Sequence, residues 1–399
     1  MTAFRHDFDV LVCGGGVAGV AAALESSRAG MRTALVEKTV TLGGLATSGL
    51  VWAYLPLCDG LGTQVTYGIA EELLHLSYRY GPGGVPPGWK RADQTEGPRF
   101  WTLFSPAAFA LALDEALLSA GVAIWLDTLV CRPLLDGDAV AGVEVETKDG
   151  RGALTARCVI DATGDADVAY RAGAECVSGG NFLAMWALQA SLELARRAAA
   201  RSDGTALLDM LILGSNVEGA EGGRPGAVWS GLDARGVTDF VLEGRRLLRE
   251  HFSRLHASGS QPRHAYPITL PSMAQFRTTR RVVGKASIVD GEHGMLREDS
   301  VGLVADWRKA GFVWEIPYGA LVPAKAKGLL AAGRCIASSG DAWEVTRVIP
   351  AAALSGQIAG MAAALSANRA VTPGDLGAGE VQAELERRGI PYHLGQVYD

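Results

Sequence analysis

A glycine-rich loop between a predicted strand and a predicted helix constrains this 399-residue chain more than any other feature. The apolar residues 8–13 predict a buried strand, and residues 14–19 follow it with the sequence Gly-Gly-Gly-Val-Ala-Gly. A helix is predicted over 17–29, then a second strand over 31–36 that ends at Glu37. The pattern G-x-G-x-x-G, set in a β-α-β unit with an acid about 20 residues later, predicts a dinucleotide-binding unit.

Each part of this unit has a predicted task. Gly14 allows a tight turn, Gly16 lets the backbone approach a pyrophosphate, and Gly19 lets helix and strand pack closely. The phosphates are expected at the helix N-terminus, where free N–H groups and the helix dipole favour anions. Glu37 is expected to accept hydrogen bonds from the adenosine ribose.

The remainder of the chain favours FAD over NAD. Short predicted strands at 122–126, 129–135, 139–146 and 153–160 form an antiparallel meander that runs into Ala162-Thr163-Gly164. Near the C-terminus, a buried strand leads into a turn at Gly333-Arg334 and then into a long helix. No second G-x-G-x-x-G with a downstream acid is visible for a nicotinamide cofactor.

With these motifs the chain resembles the FAD-dependent oxidoreductases of the glutathione-reductase-like superfamily, within a largely uncharacterised bacterial group. The matching stretches are 9–38, 42–47, 159–167, 277–284, 316–323 and 329–364. The resemblance implies FAD as the cofactor. The positions that it implies as cofactor contacts are Gly14, Gly16, Val17, Ala18, Gly19, Glu37, Lys38, Gly43, Gly44, Ala46, Thr47, Val130, Ala162, Thr163, Gly164, Gly333, Arg334, Arg347 and Pro350. Among them, it implies that Val130 contacts adenine through its backbone and that Arg347 to Pro350 lie near the isoalloxazine ring.

One departure from the family pattern affects catalysis. Relatives usually carry a His-Glu pair after the Gly-Arg-Cys turn, whereas this chain has Gly340 and Asp341. Asp341, Glu344 and Arg347 are therefore the candidate catalytic residues, with an acid to take a proton and an arginine to bind a carboxylate or oxyanion. A surface salt bridge explains the three residues almost as well.

Pro350 provides an independent physical argument about the flavin. Proline suits the first turn of a helix, and residues 350–367 predict a long Ala-rich one. If its N-terminus faces the N1/C2=O edge of the flavin, its dipole stabilises the anionic reduced ring and favours hydride acceptance. The alternative is an ordinary core helix that begins with proline.

The predicted fold class is α/β: a glutathione-reductase-like Rossmann FAD domain, with a parallel sheet and an antiparallel β-meander, joined to a second α+β substrate domain. The FAD domain is expected to be discontinuous, made of residues 1–50, 100–175 and 321–399. Residues 51–99, with a Pro/Gly loop at 81–88, are assigned to an active-site cap. Residues 176–320 form the substrate domain, with helices near 183–201 and 237–258 linked by the Gly-rich run 214–231.

Composition narrows the partners and the compartment. The net charge of −6 argues against a nucleic-acid surface. The densest basic stretch, Arg277, Arg280, Arg281 and Lys285, has helical spacing and is either a solvated helix face or a source of an active-site arginine. The six cysteines have neither C-x-x-C nor metal-ligand spacing, so no metal site is expected, and they fit a reducing compartment. With no signal core and no uninterrupted apolar span, a cytoplasmic location without a membrane span is expected.

The expected function is a dehydrogenase or oxidase, in which a small organic substrate gives hydride to flavin N5. Oxygen, a quinone or a partner protein would then reoxidise FAD. The alternative is a flavin monooxygenase or halogenase that needs an external reductant. That class usually carries Asp-Gly and Gly-Asp motifs, and Gly164-Asp165 matches them only in part. A protein with structural FAD, or one that modifies RNA, ranks lower.

Overall fold

The fold is given by a computed structural model that describes residues 3–86, 89, 101–214, 228–257 and 264–398. Within these residues the strands are β1 (Phe4–Cys13), β2 (Thr33–Val36), β3 (Ala53–Tyr54), β4 (Thr102–Leu103), β5 (Ala123–Trp125), β6 (Leu129–Asp136), β7 (Ala139–Thr147), β8 (Gly150–Asp161), β9 (Cys176–Ser178), β10 (Ala184–Ser191), β11 (Asp209–Gly214), β12 (Ala265–Thr269), β13 (Arg280–Val282), β14 (Ser300–Ala305), β15 (Val313–Pro317) and β16 (Leu329–Ala331). The helices are α1 (Val17–Arg28), α2 (Ile69–Leu76), α3 (Pro106–Ser119), α4 (Asp167–Arg171), α5 (Leu192–Arg201), α6 (Ala234–Ala257), α7 (Gly340–Thr346), α8 (Ile349–Arg369) and α9 (Ala378–Arg387).

The largest sheet has seven strands in the order β5-β2-β1-β8-β7-β6, with β16 beside β8. Strands β5, β2, β1, β8 and β16 are mutually parallel, so their carboxyl ends share one edge. The loops that leave this edge begin at Gly14, Glu37, Ala162 and Ala332. Ligands of open α/β sheets bind outside the carboxyl ends of the strands, which places the predicted dinucleotide loop where a cofactor is expected.

Strand β8 joins the meander to the parallel sheet. Its first half pairs antiparallel with β7, while its second half lies beside β16, and β1 runs along its other side. The α/β class with an antiparallel meander is confirmed. The prediction that residues 122–126 open the meander is wrong, because β5 pairs in parallel with β2 at the sheet edge. A short apolar run cannot reveal its pairing partner, and here α3 is the crossover between β2 and β5.

Helices α1 and α8 pack against each other at very close range. A Cβ atom added to Gly356 would lie 2.1 Å from the carbonyl oxygen of Ala18, and one added to Gly360 would lie 2.4 Å from that of Ala22. The Ala- and Gly-rich sequence of α8 is therefore required by this contact. By length and composition α8 is also long and apolar enough to cross a membrane, but 89% of its most apolar window is buried inside the protein, as in a core helix.

Residues 184–269 contribute a separate antiparallel sheet, β11-β10-β12, against which α6 packs through Leu248 and Phe252. The helix predicted over 183–201 is half wrong: residues 184–191 form the central strand of this sheet, and only α5 is helical. The Ala-rich sequence favours a helix locally, but pairing on both sides overrides that preference. The Gly-rich run 214–231 and the loop 81–88 lie largely or partly outside the described residues. The division into domains at residues 51, 100, 176 and 321 stays a prediction.

The basic stretch near residue 280 is also not helical. Arg280–Val282 is strand β13, which pairs antiparallel with β9. Arg280 forms an ion pair with Asp167, and its guanidinium lies 4.1 Å from the centre of the Tyr170 ring. The spacing is therefore not that of a solvated helix face.

Candidate cofactor and substrate site

A cleft lies at the carboxyl edge of the parallel sheet. Its volume is about 810 Å³, including the part that is open to solvent. It joins loops from both ends of the chain, as expected for a crevice at strand termini. Its walls are formed by Gly14, Gly16, Val17, Ala18, Glu37, Lys38, Thr39, Gly43, Gly44, Leu45, Ala46, Ser48, Ala162, Thr163, Gly164, Met273, Ala332, Gly333, Arg334, Arg347, Ile349 and Ala352.

The three glycines of the G-x-G-x-x-G pattern, Gly14, Gly16 and Gly19, occupy three different environments. Gly14 has φ +107°, and a Cβ there would lie 2.4 Å from the carbonyl oxygen of Ala162. At Gly19 a Cβ would lie 1.8 Å from the carbonyl oxygen of Gly14, so this glycine lies behind the cleft wall and lets α1 approach the turn. At Gly16 an added Cβ would meet no atom of the described residues within 4 Å. Gly16 therefore leaves open space above the N-terminus of α1, where a pyrophosphate needs it.

Glu37 is fixed at the end of β2 by three hydrogen bonds. One carboxylate oxygen accepts from the N–H of Gly15 at 2.8 Å, and the other accepts from the N–H and hydroxyl of Thr39, both at 2.9 Å. Its side chain also lines a second pocket that continues the cleft. The carboxylate oxygen that accepts from Gly15 has a lone pair left for a ribose hydroxyl, whereas the two hydrogen bonds from Thr39 use both lone pairs of the other oxygen.

The second pocket lies between the ends of β2 and β6 and has about 680 Å³ of empty space. Val130 is in its wall, together with Thr128, Leu129 and Arg171. The guanidinium of Arg171 donates to the carbonyl oxygen of Val130 at 3.0 Å. This pocket is where the resemblance puts the adenine.

Sequence reasoning missed the buried acid that shapes the turn after β8. Asp161 accepts hydrogen bonds from the hydroxyl of Thr163 at 2.6 Å and from the N–H of Ala169 at 2.8 Å. Burial raises the pKa of Asp161, and these hydrogen bonds oppose that rise. The acid thereby ties the start of α4 to the turn and holds Ala162 and Gly164 in the cleft wall.

Arg334 is held by several partners at the opposite wall. Its guanidinium donates to the carbonyl oxygens of Gly164 at 2.6 Å and Phe276 at 3.0 Å, and it pairs with Asp165. Asp165 also accepts from the hydroxyl of Thr279 at 2.6 Å. Burial alone would raise the pKa of Asp165, but Arg334 and the Thr279 hydroxyl outweigh it and lower that pKa. No sequence pattern predicts that Asp165 pairs with Arg334.

The N-terminus of α8 closes one end of the cleft. Ile349 and Ala352 line the wall, while Pro350 is buried behind them within the first turn. Val348 is the N-cap and provides no side-chain hydrogen bond, so the N–H groups of this turn keep their capacity to bind an acceptor. The N–H of Gly333 is occupied, since it donates to the hydroxyl of Ser355 at 3.0 Å.

Thr47 supports the wall instead of lining it. Its hydroxyl donates to the carbonyl oxygen of Leu42 at 2.5 Å. The next residue, Ser48, does line the cleft, and its buried hydroxyl has no hydrogen-bond partner within the part of the chain that the structure describes. A buried orphan hydroxyl in a cleft wall is satisfied when a polar ligand fills the cleft.

The three candidate catalytic residues separate into two places. Arg347 is in the cleft wall and pairs with Glu344 through Nε at 3.0 Å and also through Nη2. Asp341 pairs instead with Arg308 at 3.2 Å and with Lys309. Hydrogen bonding from Lys309, and then the charge of Arg308, lower the pKa of Asp341. Neither Asp341 nor Glu344 is among the residues that line the cleft, but Glu344 is held against the wall residue Arg347 by their ion pair.

Gly340 lies in a turn that leaves no room for a side chain. Its φ is +52°, and a Cβ there would lie 2.4 Å from a carboxylate oxygen of Asp290. A histidine could be accommodated only if this turn moved.

The open space at Gly16, the fixed carboxylate of Glu37 and the orphan hydroxyl of Ser48 fit a bound FAD. Across the described ranges, no cluster of three or more His, Cys, Asp or Glu could hold a metal ion.

This fold and this cleft define a flavoprotein oxidoreductase of the Rossmann type. More specifically, the chain belongs to the FAD dependent oxidoreductase family, whose sequence model matches residues 9–185 and 190–385. Its cofactor is FAD.

One curated relative is vinyl phenol reductase of Lactiplantibacillus plantarum, which is 38% identical over 84 residues. That match covers 20% of this chain and only 17% of the relative.

Among solved structures, p-nitrophenol 4-monooxygenase PnpA from Pseudomonas putida DLL-E4 matches with a TM-score of 0.50 and 15% identity, over 95% of this chain and 83% of its own. A geranylgeranyl bacteriochlorophyll reductase-like protein from Thermoplasma acidophilum matches with a TM-score of 0.47 and 14% identity, over 96% and 84% of the two chains. At these identities the likeness is one of fold.

Proposed function

We propose that this chain oxidises a small organic substrate, with FAD as the direct electron acceptor, as a dehydrogenase or an oxidase. The observation that carries the proposal is the ion pair of Arg347 and Glu344 at the end of the cleft that α8 closes. When bound, FAD accepts a hydride equivalent from the substrate. Arg347 and Glu344, beside the first turn of α8, would bind and orient that substrate.

Arg347 has the position of a substrate-binding residue. Its side chain is 12% exposed and forms part of the wall, so it is largely removed from water yet reachable from the cleft. Glu344 lies one helical turn earlier and fixes the guanidinium through two hydrogen bonds to one carboxylate oxygen. The other carboxylate oxygen accepts no hydrogen bond from any residue that the structure describes. Glu344 is therefore the proposed acceptor of the proton that an alcohol or amine loses when its C–H bond is oxidised.

The first turn of α8 supports the same direction of electron flow. Its uncapped N–H groups and helix dipole stabilise negative charge in the adjacent cleft. A ring that gains negative charge on reduction is a better acceptor in such a field.

Anaerobic mixing of the FAD-loaded protein with alcohols, amines and hydroxy acids tests the proposal. Direct loss of the visible flavin absorbance with one of these compounds, without NADH or NADPH, is the expected result. Absorbance loss with NADH or NADPH alone would favour a monooxygenase or halogenase. No loss with any of these compounds would favour a structural role of FAD.

A further inference from the structure

Arg277 follows Phe276, whose carbonyl oxygen binds a residue of the cleft wall, and its guanidinium has no partner among the described residues. Its backbone N–H donates to the side-chain oxygen of Asn181 at 2.7 Å, but its guanidinium makes no hydrogen bond or ion pair within the described ranges. The two arginines of the cleft wall do have partners: Arg334 pairs with Asp165, and Arg347 pairs with Glu344. Arg277 is partly buried, so the lack of a partner has an energetic cost.

The backbone that carries Arg277 is fixed against the cleft. Met273, four residues earlier, is in the cleft wall. The carbonyl oxygen of Phe276 accepts from Arg334, another wall residue, at 3.0 Å. The side-chain oxygen of Asn181 binds the N–H of Thr278 at 2.9 Å in addition to that of Arg277. The position of Arg277 is therefore built by several hydrogen bonds.

The charges around Arg277 do not balance. Burial, and then the positive charge of Arg347, lower the pKa of Arg277 to about 10, and Glu344 opposes this change only in part. Arg277 is still charged at neutral pH. Since Arg347 already binds the carboxylate of Glu344, the three side chains leave one positive charge without a counterion.

We infer that Arg277 and Arg347 together bind a carboxylate of the substrate. This inference rests on the proposed function, and it adds the chemical class of the compound that is oxidised. A guanidinium is planar and matches the two oxygens of a carboxylate, and a bound carboxylate would supply the missing negative charge. The phosphates of FAD are expected elsewhere, on the N-terminus of α1 above Gly16.

Binding of small carboxylates to the FAD-loaded protein tests this inference. Sodium acetate and sodium benzoate are titrated at constant ionic strength against chloride, with acetamide and benzamide as uncharged controls of the same shape. The visible flavin spectrum and the melting temperature are the readouts. Both carboxylates are expected to perturb the spectrum and to raise the melting temperature, whereas neither amide does so. Equal effects of amides and carboxylates, or no effect of either carboxylate, would overturn the inference.

Substitutions then test whether Arg277 binds the carboxylate. Arg277→Gln is expected to weaken carboxylate binding about tenfold or more, the usual effect of losing a charged hydrogen bond. Arg277→Lys keeps the charge and should restore most of the affinity, which a merely structural role of Arg277 would not do. The matched control is Arg281→Gln. Arg281 is another partly buried arginine of the same segment, and it lies 5.3 Å from the Trp343 ring centre, so this variant should bind like the wild type.

Three results of the variants overturn the inference: wild-type carboxylate affinity in Arg277→Gln, an equal loss in Arg281→Gln, or a changed flavin midpoint potential in Arg277→Gln with unchanged carboxylate binding. Failure of the proposed function looks different. In that case carboxylates still bind through Arg277, while only NADH or NADPH reduces the flavin.

Discussion

One added methyl group is expected to lower the unfolding free energy at Gly14 and to weaken FAD binding at Gly16. In Gly14→Ala, the new Cβ would lie 2.4 Å from the carbonyl oxygen of Ala162, at a φ of +107°. Strained backbone costs about 1–3 kcal/mol, and overpacking adds about 1–3 kcal/mol. We therefore expect the FAD-free protein to lose about 2–6 kcal/mol of unfolding free energy, a large share of the stability of an ordinary domain.

In Gly16→Ala, the methyl group meets no atom of the described residues within 4 Å, and φ is −66°, which alanine adopts freely. The reduced freedom of the unfolded chain stabilises by about 0.4–1 kcal/mol, and the poorer helix N-cap cancels much of that gain. Unfolding of the FAD-free protein should therefore match the wild type. FAD binding should weaken by about 5- to 150-fold, because the methyl group occupies the space kept for the pyrophosphate and overpacking costs about 1–3 kcal/mol.

Two assays separate the effects. Denaturant unfolding of the FAD-free proteins measures stability, and FAD titration followed by flavin fluorescence measures affinity. Wild-type stability in Gly14→Ala would refute the close contact with Ala162. Wild-type FAD affinity in Gly16→Ala would refute the placement of the pyrophosphate.

Three further predictions concern charged groups of the site. Glu37→Gln should weaken FAD binding by about 10- to 150-fold in the same titration, because a charged acceptor fixed by Gly15 is worth about 1.5–3 kcal/mol; unchanged affinity would contradict the ribose role. Asp165→Asn should cost about 3–5 kcal/mol in neutral denaturant unfolding, since it leaves Arg334 without its carboxylate. The pKa of Asp165 is lower in the folded than in the unfolded protein, so its charge stabilises the fold at every pH above the unfolded-state pKa of about 3.9. This stabilisation is lost as the pH falls through the lower folded value. The difference in unfolding free energy between Asp165→Asn and the wild type should therefore disappear only in acid. Asp341→Asn should change turnover and the flavin spectrum little and cost about 0–1 kcal/mol, since its ion pairs are partly exposed; a large loss of turnover would restore it as a catalytic residue.

The sequence predicts the dinucleotide unit well because its physics is local. Gly14 and Gly16 owe their roles to the turn between β1 and α1, and Glu37 ends the adjacent strand. Likewise, Ser105 caps α3 by accepting from the N–H of Ala108, and Pro106 begins that helix, as the residue types indicate.

The missed features depend on long-range contacts. The basic stretch that contains Arg277 is a predicted source of an active-site arginine, but no periodicity predicts the electrostatic interaction of Arg277 with Arg347, 70 positions later. Asp165 pairs with Arg334, which is also distant in sequence. Strand β10 forms where an isolated segment would favour a helix. Asp341 and Glu344 are both candidates around the substrate by their place after the Gly-Arg-Cys turn, but the two carboxylates have different partners. Such partners are set by tertiary packing.

A crystal structure of the FAD-loaded protein tests the central claim most directly. The pyrophosphate should lie over Gly16, the adenine in the pocket beside Val130, and the isoalloxazine ring against the first turn of α8 with Arg347 within reach of its substrate side. An FAD whose ring lies away from Ile349 and Arg347 would contradict the account, even if the pyrophosphate occupied the glycine loop.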